Sequence, residues 1–303
     1  MTGHAVARSG IATRTSSARW AVAMMLAFVA LWALIETTAA VVLHHVLTWQ
    51  VEWTRFTVHL LIVLAIWGRR GAMAPWRTRK PRQQLVRSAM MLIMPASWAI
   101  AASRGDAASM MLAIFWSAPL LVLALAAVIE RERMRVLAWL AAGLGWVGAW
   151  LFYAPEELPS AATIALSLAM AASFALYVVM TRGLRSEPMR VNLFYTAIVP
   201  WIALLPVMPR VWVTPAPGEL AGLLFIGAAG WLGFVAIDRA VNAAPVSQTA
   251  PMLCLQIAGV AILAALTGHG PSFLRLAAST TFVGAAAALA WLALPRTASP
   301  DIS

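Results

Sequence analysis

The sequence has little charge and almost no cysteine for its length. Only 11% of its 303 residues are charged and 62% are hydrophobic, whereas soluble domains carry about 25% charged and roughly 45–50% apolar residues. Because so few charges cannot cover a water-facing surface, most of the chain is expected to lie in lipid. The single cysteine, Cys254, excludes an internal disulfide framework and a cysteine-based metal cluster.

The chain also lacks the motifs of the common enzyme classes. It has no nucleophile elbow, no Walker motif, no paired catalytic carboxylates and no zinc signature. The adjacent His44 and His45 have no carboxylate or cysteine companions at ligand spacing, which favours a solvated loop over a metal site. We therefore expect no enzymatic activity, no cofactor and no bound metal.

Long apolar runs make up most of the sequence. A bilayer core needs about 20 apolar residues for each helix. The sequence predicts an all-α integral membrane protein, in which ten such helices cover residues 20–43, 51–67, 85–102, 109–129, 137–153, 161–181, 191–207, 220–237, 247–266 and 274–294.

The net charge of +11 reflects orientation in the membrane rather than nucleic-acid binding. The basic residues lie in loops between apolar runs, and with the N-terminus inside, 18 of the 22 Lys and Arg residues fall on the inner side. An excess of Lys and Arg marks the cytoplasmic side of a membrane protein. We expect a multi-pass protein of a bacterial inner membrane with both termini in the cytoplasm and no nucleic-acid partner.

The two halves of the chain resemble each other. Ser117-Ala118-Pro119-Leu120 aligns with Thr249-Ala250-Pro251-Met252, and Leu140-Ala141-Ala142 aligns with Leu276-Ala277-Ala278. An odd number of spans in each half inverts the second half relative to the first, an arrangement common among secondary transporters. The predicted units are a cytoplasmic tail (1–19), a first five-helix repeat (20–153), an external linker (154–160), a second five-helix repeat (161–294) and a second cytoplasmic tail (295–303).

Three polar residues stand out within the first two predicted helices, because such groups are costly in a membrane and are often functional. Glu36 lies about two turns from the outer end of the first helix. Arg55 and His59 are four residues apart on the second helix and so share a face. We expect Glu36 and Arg55 to pair beside a substrate path. The alternative is that Arg55 extends to the headgroups and Glu36 has only a structural partner.

Prolines occupy matching places in the fourth and ninth predicted helices. A proline removes a backbone donor and kinks a helix, and in a membrane such irregularity is tolerated only against protein or a cavity. Gln248 and Gln256 on the ninth helix would add polar groups to the same region. The alternative is a packing kink whose hydroxyls bond to their own helix. The candidate site residues of this region are Ser117, Pro119, Thr249 and Pro251.

Fifteen tryptophans are many for this length. Those near helix ends are typical of an interfacial belt. Deeper ones could stack on a planar or cationic ligand, although packing is the more common role of any one. The candidates are Trp32, Trp98, Trp116 and Trp231.

Glycines recur three residues apart on two predicted helices. They are Gly145 and Gly148 on the fifth helix, and Gly227, Gly230 and Gly233 on the eighth. Small residues let helix backbones approach closely, so we interpret them as packing surfaces that also allow a homo-oligomer.

The order of several segments resembles the EamA family of the drug/metabolite transporter superfamily. That resemblance covers about residues 20–294 and implies a metabolite carrier with a cavity between two repeats, and it adds Tyr177 to the candidates. Glu36 and the 55–59 stretch are most similar to the branch that includes S-adenosylmethionine and riboflavin carriers. The sequence departs from the family at 268–270 and at Ala40, where acidic and lysine residues are usual. The matching segments are 31–36, 53–59, 113–122, 130–132, 174–177, 181–182, 193–195 and 244–251.

These observations favour a secondary transporter that moves a small organic metabolite by alternating access. The metabolite would be an amino acid or a compound derived from an amino acid or nucleotide. Coupling to protons, to exchange or to the substrate gradient alone all stay open, with Glu36 and His59 as titratable candidates. The alternatives are a non-transporting scaffold or receptor and, with less support, an intramembrane enzyme that uses Glu36 and His59.

Overall fold

The computed structural model describes residues 2–42, 44–69, 74–266 and 272–292. All regular elements in these ranges are helices, and none is a strand. A 3₁₀ segment at Ala250–Cys254 separates the two helices on either side of it. The α-helices are α1 (Thr2–Val42), α2 (Thr48–Trp67), α3 (Pro81–Ser103), α4 (Ala108–Phe115), α5 (Ala118–Ile129), α6 (Val136–Tyr153), α7 (Ala161–Gly183), α8 (Met189–Leu204), α9 (Met208–Val211), α10 (Pro217–Ala243), α11 (Val246–Thr249), α12 (Leu255–Leu266) and α13 (Phe273–Leu292).

Eight segments of the described chain are long and apolar enough to cross a membrane. Helix α8 is apolar but shorter, and α2 has 20 residues, among them Gln50, Glu52, Arg55 and His59. Ten crossings therefore stay a prediction. The eight segments are Ser17–Val42, Pro81–Ser103, Ala108–Ile129, Val136–Tyr153, Ala161–Gly183, Pro217–Ala243, Val246–Leu266 and Phe273–Leu292.

The sequence predicts two cytoplasmic tails and a departure from the family pattern at 268–270. The segment 1–19, expected to be a tail, is helical from Thr2 onward, and no proline ends the helix before the apolar run begins. The hydroxyl of Ser17 on this segment donates to the carbonyl of Ala243. The second tail, 295–303, and the 268–270 departure lie outside the described residues.

Two of the apolar segments are interrupted at the predicted prolines. Helix α4 ends at Phe115 and α5 begins at Ala118, with Pro119 in its first turn. Helix α11 ends at Thr249, and the 3₁₀ segment that follows carries Pro251. Because proline has no N–H and its ring displaces the preceding turn, it interrupts the α-helix at both places. The predicted kinks are confirmed.

Polar contacts between connections define two faces of the helix bundle. On one face, Thr163 donates to Asp106 over 2.9 Å, and Gln50 exchanges two hydrogen bonds with the backbone of Val213. We call this the 154–160 face after the linker that it carries. On the other, the 184–188 face, the carboxylate of Glu132 accepts from the backbone N–H of Val246. These contacts hold together connections that are distant in sequence.

Helix packing joins the two halves of the chain. Helix α1 packs mainly on α10, α3 on α7, and α6 on α13, while α2 and α8 pack on each other. Helix α2 also packs on α10, and α3 on α8. The core consequently lies between the halves rather than within each of them.

The predicted glycine surfaces lie inside this packing. A methyl group at Gly227 would stand 2.5 Å from the Cβ of Val58, and one at Gly148 would stand 2.8 Å from Val283. Ser279 adds a 2.8 Å hydrogen bond to the carbonyl of Gly148. Close backbone approach of this kind requires glycine. Since these faces contact helices of the same chain, a homo-oligomer would need another surface.

Candidate functional site

A cavity of about 330 Å³ lies between the two halves of the chain. Its volume falls in the range of small-molecule sites, about 300–1,000 Å³. Aromatic and aliphatic side chains make most of its wall, and the charged residues on it are Glu36, Glu52 and Arg55. The helices that contribute to it are α1, α2, α3, α4, α7, α10 and α12.

Within the described part of the chain, the cavity opens toward one face of the helix bundle. Its lining reaches Ala40 near the end of α1 and Ala108 at the start of α4, and both residues are exposed on the 154–160 face. At the other end it stops at Tyr177 and Ile237, which are 2% and 0% exposed. Among the described residues, the cavity is therefore open on the 154–160 face and closed toward the 184–188 face.

Glu36 lies in the wall of the cavity. Its carboxylate accepts a 2.8 Å hydrogen bond from Nε2 of Gln256 on α12. The structure thus brings together two candidates that are far apart in sequence. Gln256 is a neutral amide donor, so this contact is a hydrogen bond and not an ion pair.

The predicted pair of Glu36 with Arg55 is wrong. Arg55 forms its ion pair with Glu52, and the distance from Nη2 to Oε2 is 2.8 Å. Glu52 lies three residues earlier on the same helix face, so it reaches Arg55 with little loss of side-chain freedom. Glu52 is absent from the predicted site residues, although its i, i+3 spacing to Arg55 is visible in the sequence.

The guanidinium of Arg55 also lies among aromatic rings. Its central carbon is 4.7 Å from the ring of Phe56, 5.4 Å from that of Trp32 and 5.9 Å from that of Phe234. A cation within about 6 Å of a ring centre is attracted to the ring face. Gly230 makes room for this arrangement, since a Cβ there would lie 3.3 Å from the Arg55 stem.

His59 shares the face of Arg55, as predicted, but does not line the cavity. It is 1% exposed and its ring packs 5.6 Å from that of Phe234. Phe234 therefore stands between His59 and the open space. The structure gives His59 a position behind the wall rather than in it.

The tryptophan candidates also divide into residues that line the cavity and one that does not. Trp32, Trp98 and Trp116 line the cavity together with Tyr177, whereas Trp231 packs against the core outside its lining. Sequence reasoning missed four phenylalanines, because apolar rings give no signal that separates a cavity wall from ordinary core. The missed rings are Phe28, Phe115, Phe174 and Phe234.

The residues at the helix interruptions lie beside the cavity rather than in its main wall. Pro119 borders a narrow gap that also touches Trp32 and Gln256, and Ser117 is 9% exposed. Thr249 is fully buried and its hydroxyl bonds to the carbonyl of Val246 in its own helix, over 3.4 Å. Pro251 and Gln248 are not part of the lining.

A polar network closes the cavity toward the 184–188 face. Arg87 of α3 is 0% exposed and donates to the Asn192 carbonyl over 2.6 Å and to Thr196 Oγ1 over 2.9 Å. The Asn192 side-chain amide donates to Asp238 over 2.8 Å and accepts from Gln84 over 2.7 Å.

The network reaches the cavity through Tyr177. The Arg87 guanidinium lies 5.2 Å from the ring centre of Tyr177, whose hydroxyl is 3.3 Å from Thr196 Oγ1. Sequence reasoning missed this network because Arg87 follows a run of basic loop residues. Among the described residues, no group of three His, Cys, Asp or Glu side chains is placed to hold a metal ion.

The fold and the cavity together define a multi-pass helical membrane protein with a central cavity between its two halves. No family model matches the chain. It is similar to the S-adenosylmethionine uptake transporter of Rickettsia prowazekii (strain Madrid E), with 26% identity over 218 residues, 72% of this chain and 74% of that one. The protein of the same name from Rickettsia felis (strain ATCC VR-1525 / URRWXCal2) is 27% identical over 189 residues, 62% and 64% of the two chains.

A solved crystal structure also has this fold. It superimposes with a TM-score of 0.78 over 92% of this chain and 99% of its own, at 18% sequence identity. Likeness at that identity shows the fold alone. The relatives and the helical membrane fold together support a transporter family rather than an enzyme.

Proposed function

We propose that this protein is a secondary transporter, which carries a small organic metabolite across a bacterial inner membrane by alternating access. The observation that carries the proposal is the cavity that opens on one face and ends on the buried Arg87 network. A scaffold needs no charged cavity with a single mouth. An alternating-access carrier requires a central site that is open to one side at a time.

We further propose that the two halves are inverted repeats of a ten-helix protein of the EamA family. The packing supports this. Let α1, α2 and α3 of the first half correspond to α7, α8 and α10 of the second half. The packing of α1 on α10 then matches the packing of α7 on α3, and the packing of α2 on α10 matches that of α8 on α3. The interrupted segments correspond as well, since α12 packs on α1 as α5 packs on α7.

The basic residues give this architecture an orientation. Arg131, Arg133 and Arg185 are exposed on the 184–188 face, which we place in the cytoplasm because Lys and Arg concentrate there. The cavity mouth then faces outward, and the structure corresponds to the outward-open state. The Arg87 network is the closed inner end of the path.

The substrate that fits the wall is a zwitterion with a planar group. Arg55 would bind a carboxylate in exchange for Glu52, and Glu36 would pair with a cationic centre. The rings around them would stack on the planar group. S-adenosylmethionine combines these groups, and the two Rickettsia relatives are named S-adenosylmethionine uptake transporters.

The test is uptake of radiolabelled S-adenosylmethionine by the purified chain in proteoliposomes, together with thermal unfolding over a panel of metabolites. A ligand that binds the folded state at 100 times its Kd adds about 2.7 kcal/mol to the free energy of unfolding. The panel holds S-adenosylmethionine, riboflavin, nucleosides and amino acids. We expect S-adenosylmethionine or a close analogue to raise the melting temperature and to be transported.

The variant for this test is Glu36→Gln, and Glu157→Gln in the exposed linker is its matched control. We expect loss of stabilisation and uptake in the first and wild-type behaviour in the second. A well-folded chain that binds and transports no member of the panel would contradict the proposed substrate class. Equal behaviour of the two variants would remove Glu36 from recognition.

A further inference from the structure

A second cavity, of about 720 Å³, lies on the 184–188 face. It is separate from the central cavity and has no lining residue in common with it. The connection before α3 contributes Trp76, Arg77 and Arg79, and the start of α8 contributes Arg190 and Tyr195. Its wall therefore comes from both halves of the chain.

Hydrogen bonds fix the shape of this pocket. The carboxylate of Glu187, which is 8% exposed, accepts from the Thr78 hydroxyl over 2.9 Å and from the Arg79 backbone N–H over 3.3 Å. The Tyr195 hydroxyl donates to the carbonyl of Trp76 over 3.1 Å. Both contacts join the α2–α3 connection to the region of α7 and α8. The pocket is thus built rather than formed by loosely placed surface residues.

The charge of the pocket is not balanced. Arg77, Arg79 and Arg190 line it, and within the described part of the chain none of their guanidinium groups forms an ion pair. Nε of Arg190 is buried without a hydrogen-bond partner there. The one carboxylate, Glu187, is already engaged with Thr78 and Arg79. Three guanidinium groups around one engaged carboxylate leave the pocket with excess positive charge, so an anion with several acceptor oxygens would be favourable here.

We propose that this pocket binds a phosphate group, held by Arg77 and Arg190 from the two halves of the chain with Arg79 beside them. Guanidinium groups suit phosphate because their planar donors match its oxygens in pairs. Trp76 and Tyr195 suit a site at headgroup depth, where amphipathic rings concentrate. The phosphate could belong to an anionic phospholipid or to a free phosphate compound. This site does not depend on the proposed substrate or on transport.

The experiment compares two double variants of the purified full-length chain. Arg77→Gln/Arg190→Gln removes one guanidinium from each half, and Arg131→Gln/Arg133→Gln removes two exposed arginines of the same face that do not line the pocket. Native mass spectrometry measures retention of phosphatidylglycerol relative to phosphatidylcholine. Thermal unfolding with inorganic phosphate, against potassium chloride at equal ionic strength, measures binding of the free anion.

We expect the pocket variant to bind its anion about tenfold more weakly than wild type, and the control variant to match wild type. Preference for phosphatidylglycerol that only the pocket variant loses would identify a lipid headgroup. Stabilisation by inorganic phosphate without lipid preference would identify a soluble ligand. Equal behaviour of the two variants in both measurements would overturn the proposal. If the double variant does not fold, the exposed single variant Arg77→Gln replaces it, with a smaller loss expected.

Discussion

Gln256 donates a 2.8 Å hydrogen bond to the carboxylate of Glu36 across 220 residues of sequence. The two side chains come from different halves of the chain and meet in the wall of the central cavity. We predict that Gln256→Ala weakens substrate binding about tenfold, or about 1.4 kcal/mol, because without this donor the Glu36 carboxyl is no longer held in one position for the ligand. The measurement is the ligand Kd from thermal titration. Gln248→Ala, outside the cavity lining, is the control and should bind as wild type does.

Arg55 and Glu52 offer a test of a buried ion pair against an exposed one. Arg55→Gln leaves the Glu52 carboxylate without its cation, so we expect the free energy of unfolding to fall by roughly 3 kcal/mol. Arg104→Gln breaks the pair with Asp106, in which the arginine side chain is 45% exposed, and should cost about 0–1 kcal/mol. Denaturant unfolding in one detergent compares them. Similar losses in both variants would contradict the burial argument.

Gly227 tests the close approach of α10 to α2. A Cβ there would lie 2.5 Å from that of Val58, so Gly227→Ala should destabilise the fold by about 1–3 kcal/mol. Gly284→Ala is the matched control, since nothing lies within 4 Å of the position of its Cβ. Alanine favours a helix over glycine, so the control should keep or slightly raise the melting temperature. A rise in both variants would show that the helices can separate without cost.

The polar network between Tyr177 and the 184–188 face predicts a shift in the equilibrium between the outward-open state and its alternative. Gln84→Ala removes the 2.7 Å bond to Asn192, so we expect the outward-open state to lose population. The reporter is a cysteine at Ala40 in a Cys254→Ser background, labelled from outside with a membrane-impermeant maleimide. Each 1.4 kcal/mol of lost stabilisation changes the ratio of the two states about tenfold. The exposed neighbour variant Gln83→Ala should label at the wild-type rate, and an unchanged rate in Gln84→Ala would contradict the role of the network.

Apolar runs and prolines predicted much of the helical framework correctly. The predicted runs 137–153 and 161–181 lie within one or two residues of the observed helix ends, because lipid fixes the length of an apolar helix. The run 220–237 falls short of α10 by three residues at its start and six at its end. The breaks at Pro119 and Pro251 are also predicted, because proline has no N–H for the helix ladder. Proline alone does not decide where a helix breaks, since Pro95 and Pro200 lie inside the continuous helices α3 and α8.

Partners across the bundle could not be predicted in the same way. Depth in the membrane suggested that Glu36 faces Arg55, but the choice of Glu52 for Arg55 and of Gln256 for Glu36 depends on how the helices rotate. Arg87 shows the same limit, because in sequence it ends a basic segment, while its partners come from α7 and α8. Only tertiary packing identifies these pairs.

Parting the helices would expose different groups at the aromatic wall of the central cavity and at its Arg87 end. The walls around Trp32 and Phe234 are apolar, and each square ångström of such surface that meets water costs about 25 cal/mol. The Arg87 end is held by hydrogen bonds, and water can replace each of these when the helices part. Hydration of Arg87 and Asp238 would then offset part of the lost contacts. We therefore expect the bundle to open at its polar end at a smaller cost in free energy than by separating its aromatic wall.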